Sequence, residues 1–423
     1  MIRIKPFRAW RPRPEQAAAV ACVPYDVVNT QEARALAAGN PVSFLHAIRP
    51  EISLPSETDP YAPVVYERAR AELERFKRDV FVRESEASIY LYRQEMEMPS
   101  LGRRLSQTGV VACCHIDDYL NNLIKKHEKT RQDKEDDRTR HVLAQNANAE
   151  PVFFLVRDRE ALGGLIERDS SDTGGPAMYD FVAPDGVRHT VWRARDPRPY
   201  VDAFAHVPCA YVADGHHRTA SAARAGVEKR AANPNHTGDE AYNWFMAVLF
   251  PASRLTILPY HRVVTDLHGL SATAFLSKLG AVCSVSEGGG PSPGRAGQVA
   301  MYLRDEGQPK GRWYTVAFPS SASANADPVA SLDYVVLSEL VLGPMLGIGD
   351  IRKDKRVDFV GGIRGPSELE RRVDSGEMAV AFSMFPTTID RLIAVADAGG
   401  IMPPKSTWFE PKLRSGLLVN TLE

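Results

Sequence analysis

The sequence lacks the features that would hold it on nucleic acid, in a membrane or outside the cell. Its 52 Lys+Arg are matched by 53 Asp+Glu, for a formal net charge of -1. No global positive field draws it to a polyanion, so any anion site must be local and no nucleic-acid partner is expected. The longest apolar stretches are cut by Asp333, Glu339 and Pro344 before they reach spanning length. The opening residues, MIRIKPFRAWRPRP, contain no apolar export core. Cys22, Cys113, Cys114, Cys209 and Cys283 form no C-x-x-C pair and no zinc-ligand spacing. Reduced core thiols in a cytosolic protein are the expectation.

Two nucleotide motifs are also missing. There is no G-x-x-x-x-G-K-[ST] and no G-x-G-x-x-G after a strand, which excludes a P-loop enzyme and a dinucleotide fingerprint. His216 and His217 are adjacent, so on a helix they point in different directions and cannot ligate one metal as an i,i+4 pair would.

What is present is 423 residues of ordinary globular composition, 44% hydrophobic and 25% charged, enough for two or three packed units. The most informative stretch is YVADGHHRTASAARAGVEKR, Tyr211 to Arg230. Apolar Tyr211 and Val212 lead into Asp214-Gly215, and an Ala-rich run then closes at Gly226. This pattern predicts strand, tight turn and helix. The first N–H groups of a helix have no partner inside it, and the dipole is positive at that end. Asp214 is placed to cap the helix and Gly215 to turn the chain, while Arg218 and two imidazoles add donors suited to phosphate oxygens. Read as structure alone, the same residues make a capped surface helix.

In chain order, VPYDVV (residues 23–28) predicts an extended arm that turns at Asp26, a residue that serves either the turn or a cleft. Asn29-Thr30 predict the cap of a helix over 31–38. Ser43 to Ile48 predicts a buried strand, and Tyr61 to Val80 a long amphipathic helix. Strands over 87–96 and 107–114 predict a hairpin. The charged run from Lys125 to Arg140 suits a solvated helix in its second half, with Asp136 and Arg140 paired at i,i+4. In its first half, Lys126, His127, Glu128, Lys129 and Thr130 put groups for proton transfer and phosphoryl charge within one turn.

Further strands are predicted at 151–156, at 187–193 as an edge, and at 244–251, with a Gly/Ser/Asp-rich surface segment near 163–176. Leu258 to Arg262 reads as a turn whose His261 and Arg262 would add positive charge. Patterns from 267 to 331 are weak, Ser331 to Leu346 resembles a buried helix, and a strand at 379–382 precedes a helix over 387–398. The Pro-rich segment Met402 to Lys412 fits a lid or a buried contact.

VPYD, KKHEKT, YVADGHHRTA, LPYHRV and MPPKSTWFEPKLRSGL, in that order, resemble a widespread bacterial and archaeal domain-of-unknown-function family. Its characterised relatives are ParB-like free serine kinases. The resemblance implies an α/β (α+β) fold with a ParB/sulfiredoxin-like nucleotide-binding core and an added α+β C-terminal region. It divides the chain into 1–150 with the PYD and HEKT motifs, 151–266 as the core, and 267–423.

It further implies phosphoryl transfer from ADP or ATP, with Mg²⁺, to the hydroxyl of a small metabolite, foremost free L-serine. A non-catalytic CTP- or ATP-binding regulatory module is the alternative. Asp214, Gly215, His216, His217, Arg218 and Thr219 would hold the nucleotide phosphates, and Asp214 would also serve as metal ligand. Asp26 or Glu128 would act as base, with His127 beside them as a catalytic candidate. Lys126, Lys129, Thr130, His261 and Arg262 would meet the substrate.

Overall fold

The structure is a computed structural model that describes residues 1–99, 102–171, 175–323 and 327–423. The chain has a mixed α/β fold and divides into two compact units. The first comprises Met1–Glu97, Arg103–Leu255 and Pro411–Glu423, and the second Met98–Gly102 and Thr256–Glu410. This division cuts across the boundaries expected at 150 and 266, because strands on both sides of residue 150 pair in one sheet.

The sheet of the first unit uses β1 (Ile4–Lys5), β2 (Tyr90–Met98), β3 (Arg103–His115), β4 (Ile124–Lys125), β5 (Val152–Val156), β6 (Tyr179–Val182), β7 (Arg188–Arg193), β8 (Ala210–Asp214) and β9 (Trp244–Pro251). Their order is β4-β8-β5-β9-β3-β2-β7-β6, with β1 on β3. The β8–β4 and β9–β5 pairs are parallel, and β8–β5 and β9–β3 are antiparallel. β5 and β9 read as unbroken apolar runs because they are covered on both faces, with every residue of β5 buried. The expected hairpin is β2–β3. β7 lies between β2 and β6, so it is not the edge strand that its mixed sequence suggested.

Around this sheet pack α1 (Thr30–Ala37), α2 (Pro63–Asp79), α3 (Gln132–Gln145), α4 (Glu160–Asp169), α5 (Arg198–Phe204) and α6 (His216–Ala232). The cap of α1 is Asn29, closed by a reciprocal box with Glu32. In α6 the Ala-rich face lets the backbone come close to its neighbours: a Cβ at Gly226 would stand 2.5 Å from the Tyr242 carbonyl oxygen.

The strand expected over 43–48 is instead a short helix, Leu45–Ile48, since a brief apolar run does not itself distinguish the two. The charged helix begins only at Gln132, and Asp136 accepts from Gln132 and pairs with Arg224 rather than Arg140. Of the surface segment near 163–176, α4 takes up the start, and residues 172–174 lie outside the described residues.

The second unit is built on an antiparallel sheet of β10 (Tyr260–Val264), β11 (Ser284–Glu287), β12 (Gln298–Leu303), β13 (Arg312–Ala317), β14 (Val357–Gly361) and β15 (Val380–Met384), ordered β11-β13-β12-β15-β10-β14. Helices α7 (Ala272–Gly280), α8 (Pro366–Asp374) and α9 (Ile389–Asp397) accompany it. The turn expected at 258–262 is thus a central strand. The helix expected over 331–346 is broken into Asp333–Leu337, a wide turn Ser338–Leu342, and Gly343–Leu346. Pro344 supplies no N–H for a regular ladder there.

The last thirteen residues return to the first unit. Asn420–Thr421 pair with Ala147–Asn148, and single bridges join Val419 to Trp10 and Ser415 to Cys22.

Candidate functional site

β8 ends at Asp214, α6 begins at His216, and Gly215 alone makes the turn. Its φ of 86° lies in the left-handed region open to glycine, and a Cβ there would stand 3.1 Å from Cζ of Arg218. Asp214 does not cap the helix as expected. The N-cap is Gly215 and no side chain caps the helix. A register shift between Val212 and Asp214 in the β8–β5 ladder re-aims the Asp214 side chain, and its carboxylate accepts from Nη2 of Arg218 at 3.1 Å. The first N–H groups of α6, on His216, His217 and Arg218, have no carbonyl one turn back in the helix.

Arg218 is the hub of the site. Only 6% exposed, it donates from Nη1 to the Pro151 carbonyl at 2.6 Å, and its Nη2 lies 3.7 Å from Oδ2 of Asp26. Burial works against its charge, but Asp26, Asp214 and Glu150 raise its pKa above the usual arginine range. On Asp214 burial also opposes the charge, yet Lys412 and Arg218 hold the carboxyl down at about 2. Nζ of Lys412 is 3.6 Å from Oδ1. The acidic group therefore has a cation on each oxygen. Thr219 is turned inward, its hydroxyl donating to the Gly215 carbonyl at 2.9 Å.

Asp26 is presented by a turn in which the Val27 amide donates to the Pro24 carbonyl at 3.3 Å. Its side chain is exposed, so it serves both the turn and the open face. The preceding amide, of Tyr25, donates to Oε1 of Glu150 at 3.1 Å. The Ser415 hydroxyl reaches the same oxygen at 3.2 Å. Burial pushes the Glu150 carboxyl up, and Arg218 and Arg138 work against this. Behind Arg218 lies a cavity of about 40 Å³ bordered by Arg138, His141, Gln145 and Glu150, room for ordered water among polar groups.

The KKHEKT segment runs between β4 and α3 and brings two of its members to the site. His127 is fully buried, with its ring 4.6 Å from that of His216 at 88°. Neither of its ring nitrogens has a hydrogen-bond partner. Burial lowers His127 to about 3 and His216 to about 4, so both rings are neutral at pH 7.

Glu128 stands 3.7 Å from Nδ1 of His216. His217 accepts at Nε2 from the Arg131 amide at 3.0 Å. Burial lowers its pKa, while the carboxylates of Asp26 and Glu128 pull it back up. The remaining members face elsewhere. Lys126 lies over the Tyr119 ring at 4.6 Å, Lys129 is exposed, and the Thr130 hydroxyl donates to Glu135 at 2.9 Å.

His261 and Arg262 belong to the second unit and are buried in β10. Nδ1 of His261 accepts from the Met384 amide at 3.1 Å. The Arg262 guanidinium lies 4.3 Å from the Tyr334 ring centroid and 5.1 Å from that of Phe359, and burial lowers it to about 10. The sequence reading missed Lys412, Glu150 and Arg138. Only Lys412 had a signal, as the last residue of the Pro-rich segment.

The sequence candidate for a metal ligand, Asp214, has both oxygens turned to cations. Among the described residues no group of three or more His, Cys, Asp or Glu side chains is placed to hold an ion. The arrangement does not supply a resident Mg²⁺ site.

Fold and site together define a mixed α/β protein with an uncapped helix N-terminus faced by carboxylates and basic side chains. Residues 4–335 match the family described as "Protein of unknown function (DUF1015)", and the chain belongs to that family. No curated protein matches it. Among solved structures, a free serine kinase in complex with AMP is 11% identical over 73% of this chain and 92% of that one, at a TM-score of 0.35. A conserved hypothetical protein from Pyrococcus furiosus is 13% identical over 73% and 95%, at 0.33. SbnI with a C-terminal truncation, from Staphylococcus aureus, is 11% identical over 73% and 87%, at 0.38.

Proposed function

We propose that the chain is a phosphotransferase that moves a phosphoryl group from ADP or ATP to the hydroxyl of a small metabolite, with free L-serine as the first acceptor. The observation that carries this reading is the convergence of exposed Asp26 and of Asp214 on Arg218, beside the uncapped start of α6. Phosphoryl transfer asks a protein for little besides positioning and charge neutralisation. An uncapped helix N-terminus supplies both for phosphate oxygens.

In this reading the amides of His216, His217 and Arg218 hold the phosphate oxygens. Asp26 accepts the hydroxyl proton as the acceptor oxygen bonds to phosphorus and the bond from phosphorus to the nucleotide oxygen breaks. The electron pair of that bond leaves with the shortened nucleotide. Burial keeps His216 neutral beside Glu128, and buried His127 packs against that ring. The choice of nucleotide and of serine rests on the motif resemblance, from which exposed Lys129 also remains a proposal as a substrate contact.

The test is ³¹P NMR of purified protein with ADP or ATP against L-serine, L-threonine and L-homoserine, with Arg218→Ala as control. O-Phosphoserine that is absent with the variant supports the reading. Saturable nucleotide binding with no product favours the regulatory module instead.

A further inference from the structure

The C-terminal segment delivers a basic side chain to Asp214 from 198 residues further along the chain. We infer that Lys412 is the second cation of the phosphate site, placed to contact the oxygens of the transferred or terminal phosphoryl group. This inference rests on the reading of the α6 N-terminus as an anion site. Lys412 lies beyond residue 335, where the family match ends.

Three observations support it. First, Nζ of Lys412 is 3.6 Å from Oδ1 of Asp214, while Arg218 takes Oδ2 at 3.1 Å. One carboxylate thus holds two cations at the residue preceding the turn into α6. Second, the backbone around Lys412 is fixed. Its carbonyl accepts from Nε2 of Gln94 at 2.6 Å, and that of Pro411 from Nε2 of Gln107 at 2.9 Å. Two residues on, Arg414 donates its amide to the Tyr92 hydroxyl at 3.2 Å and its Nε to His189 at 3.2 Å. Anchors of this density on buried strands place an amine rather than leave it to wander.

Third, the same segment is tied to the turn that carries the base candidate, since Ser415 and the Tyr25 amide share Oε1 of Glu150. The tail therefore links the cation to the turn that presents Asp26. An ammonium group is a compact point charge suited to phosphate oxygens. Asp214 holds it ready without neutralising the Arg218 charge alone.

The test is calorimetric titration of the full chain and of its Lys412→Ala and Lys412→Arg variants with inorganic pyrophosphate, ADP and adenosine. Circular dichroism checks that the variants are folded. The inference predicts that Lys412→Ala weakens pyrophosphate and ADP at least tenfold, that Lys412→Arg restores most of the loss, and that adenosine binding is unchanged. An acyl phosphate of ATP should acylate the Lys412 amine, forming an amide and releasing ATP, and unmodified ATP should protect it.

Wild-type binding that Lys412→Ala leaves intact, with no label on Lys412, overturns the inference and leaves the anion reading standing. Failure of the wild type itself to bind pyrophosphate or ADP removes the anion reading, and the inference with it.

Discussion

The Tyr25 amide donates to Glu150 at 3.1 Å, and this bond ties the turn bearing Asp26 to a residue two before the start of β5. Because Ser415 uses the same oxygen, Glu150 joins three segments distant in sequence. Replacing it with Ala should release the Asp26 turn while leaving the α6 amides in place. The expected outcome is a fall in kcat of about 10- to 100-fold, the scale on which small misplacements of reacting groups act, with KM for nucleotide little changed. Steady-state kinetics on Glu150→Ala checks this.

Arg218 neutralises carboxylates that its removal would strand. Half-buried Asp214 would lose its guanidinium partner, Glu150 a positive neighbour, and the Pro151 carbonyl its donor. Removing one partner from a buried charge network costs about 3–5 kcal/mol. Urea unfolding of Arg218→Ala should show a loss of that order, with Arg218→Lys intermediate.

Gly215→Ala tests the turn. A side chain at a φ of 86° is strained, and its Cβ would press on the Arg218 guanidinium at 3.1 Å. A loss of about 1–2 kcal/mol is expected for the left-handed residue. Affinity for pyrophosphate should fall as well, because the displaced group is the hub of the site.

Stability should decline on acidification before the carboxylates titrate. His127 and His216 are lowered by burial to about 3 and about 4, against an unperturbed value of about 6.5. Between those limits the unfolded chain binds protons that the folded chain does not, so stability falls as pH drops. Asp214, lowered to about 2, adds its own loss only below about pH 4. Urea midpoints from pH 7 to 4 should therefore fall steadily, and His127→Gln should flatten that slope.

The strand, turn and helix over 211–230 were legible because a periodicity change, a glycine and an alanine run coincide there. The role of Asp214 was not. Capping is a local rule, and what turned this carboxylate aside is a register shift against β5 together with Lys412, contacts that no local pattern encodes. Asp26 was legible as a turn residue and Glu128 as part of a charged cluster. The approach of Glu128 to His216 depends on the sheet order that places β4 beside β8, and that of Asp26 to Arg218 on the bond from the Tyr25 amide to Glu150.

Leu258 to Arg262 misled for the opposite reason. A proline and two basic residues read as a surface turn, but aromatic rings make room for Arg262 inside a strand, through contacts from Tyr334 and Phe359 far along the chain.

The most direct test of the phosphotransferase account is single-turnover ³¹P NMR of the wild type and Asp26→Asn, with L-serine and ADP or ATP supplied as the nucleotide's own Mg²⁺ complex. The account predicts O-phosphoserine from the wild type, and from the variant a rate lower by about 100-fold or more, the range for a general base, with nucleotide affinity retained. Full turnover by Asp26→Asn, or no phosphorylated acceptor from the wild type, would contradict it.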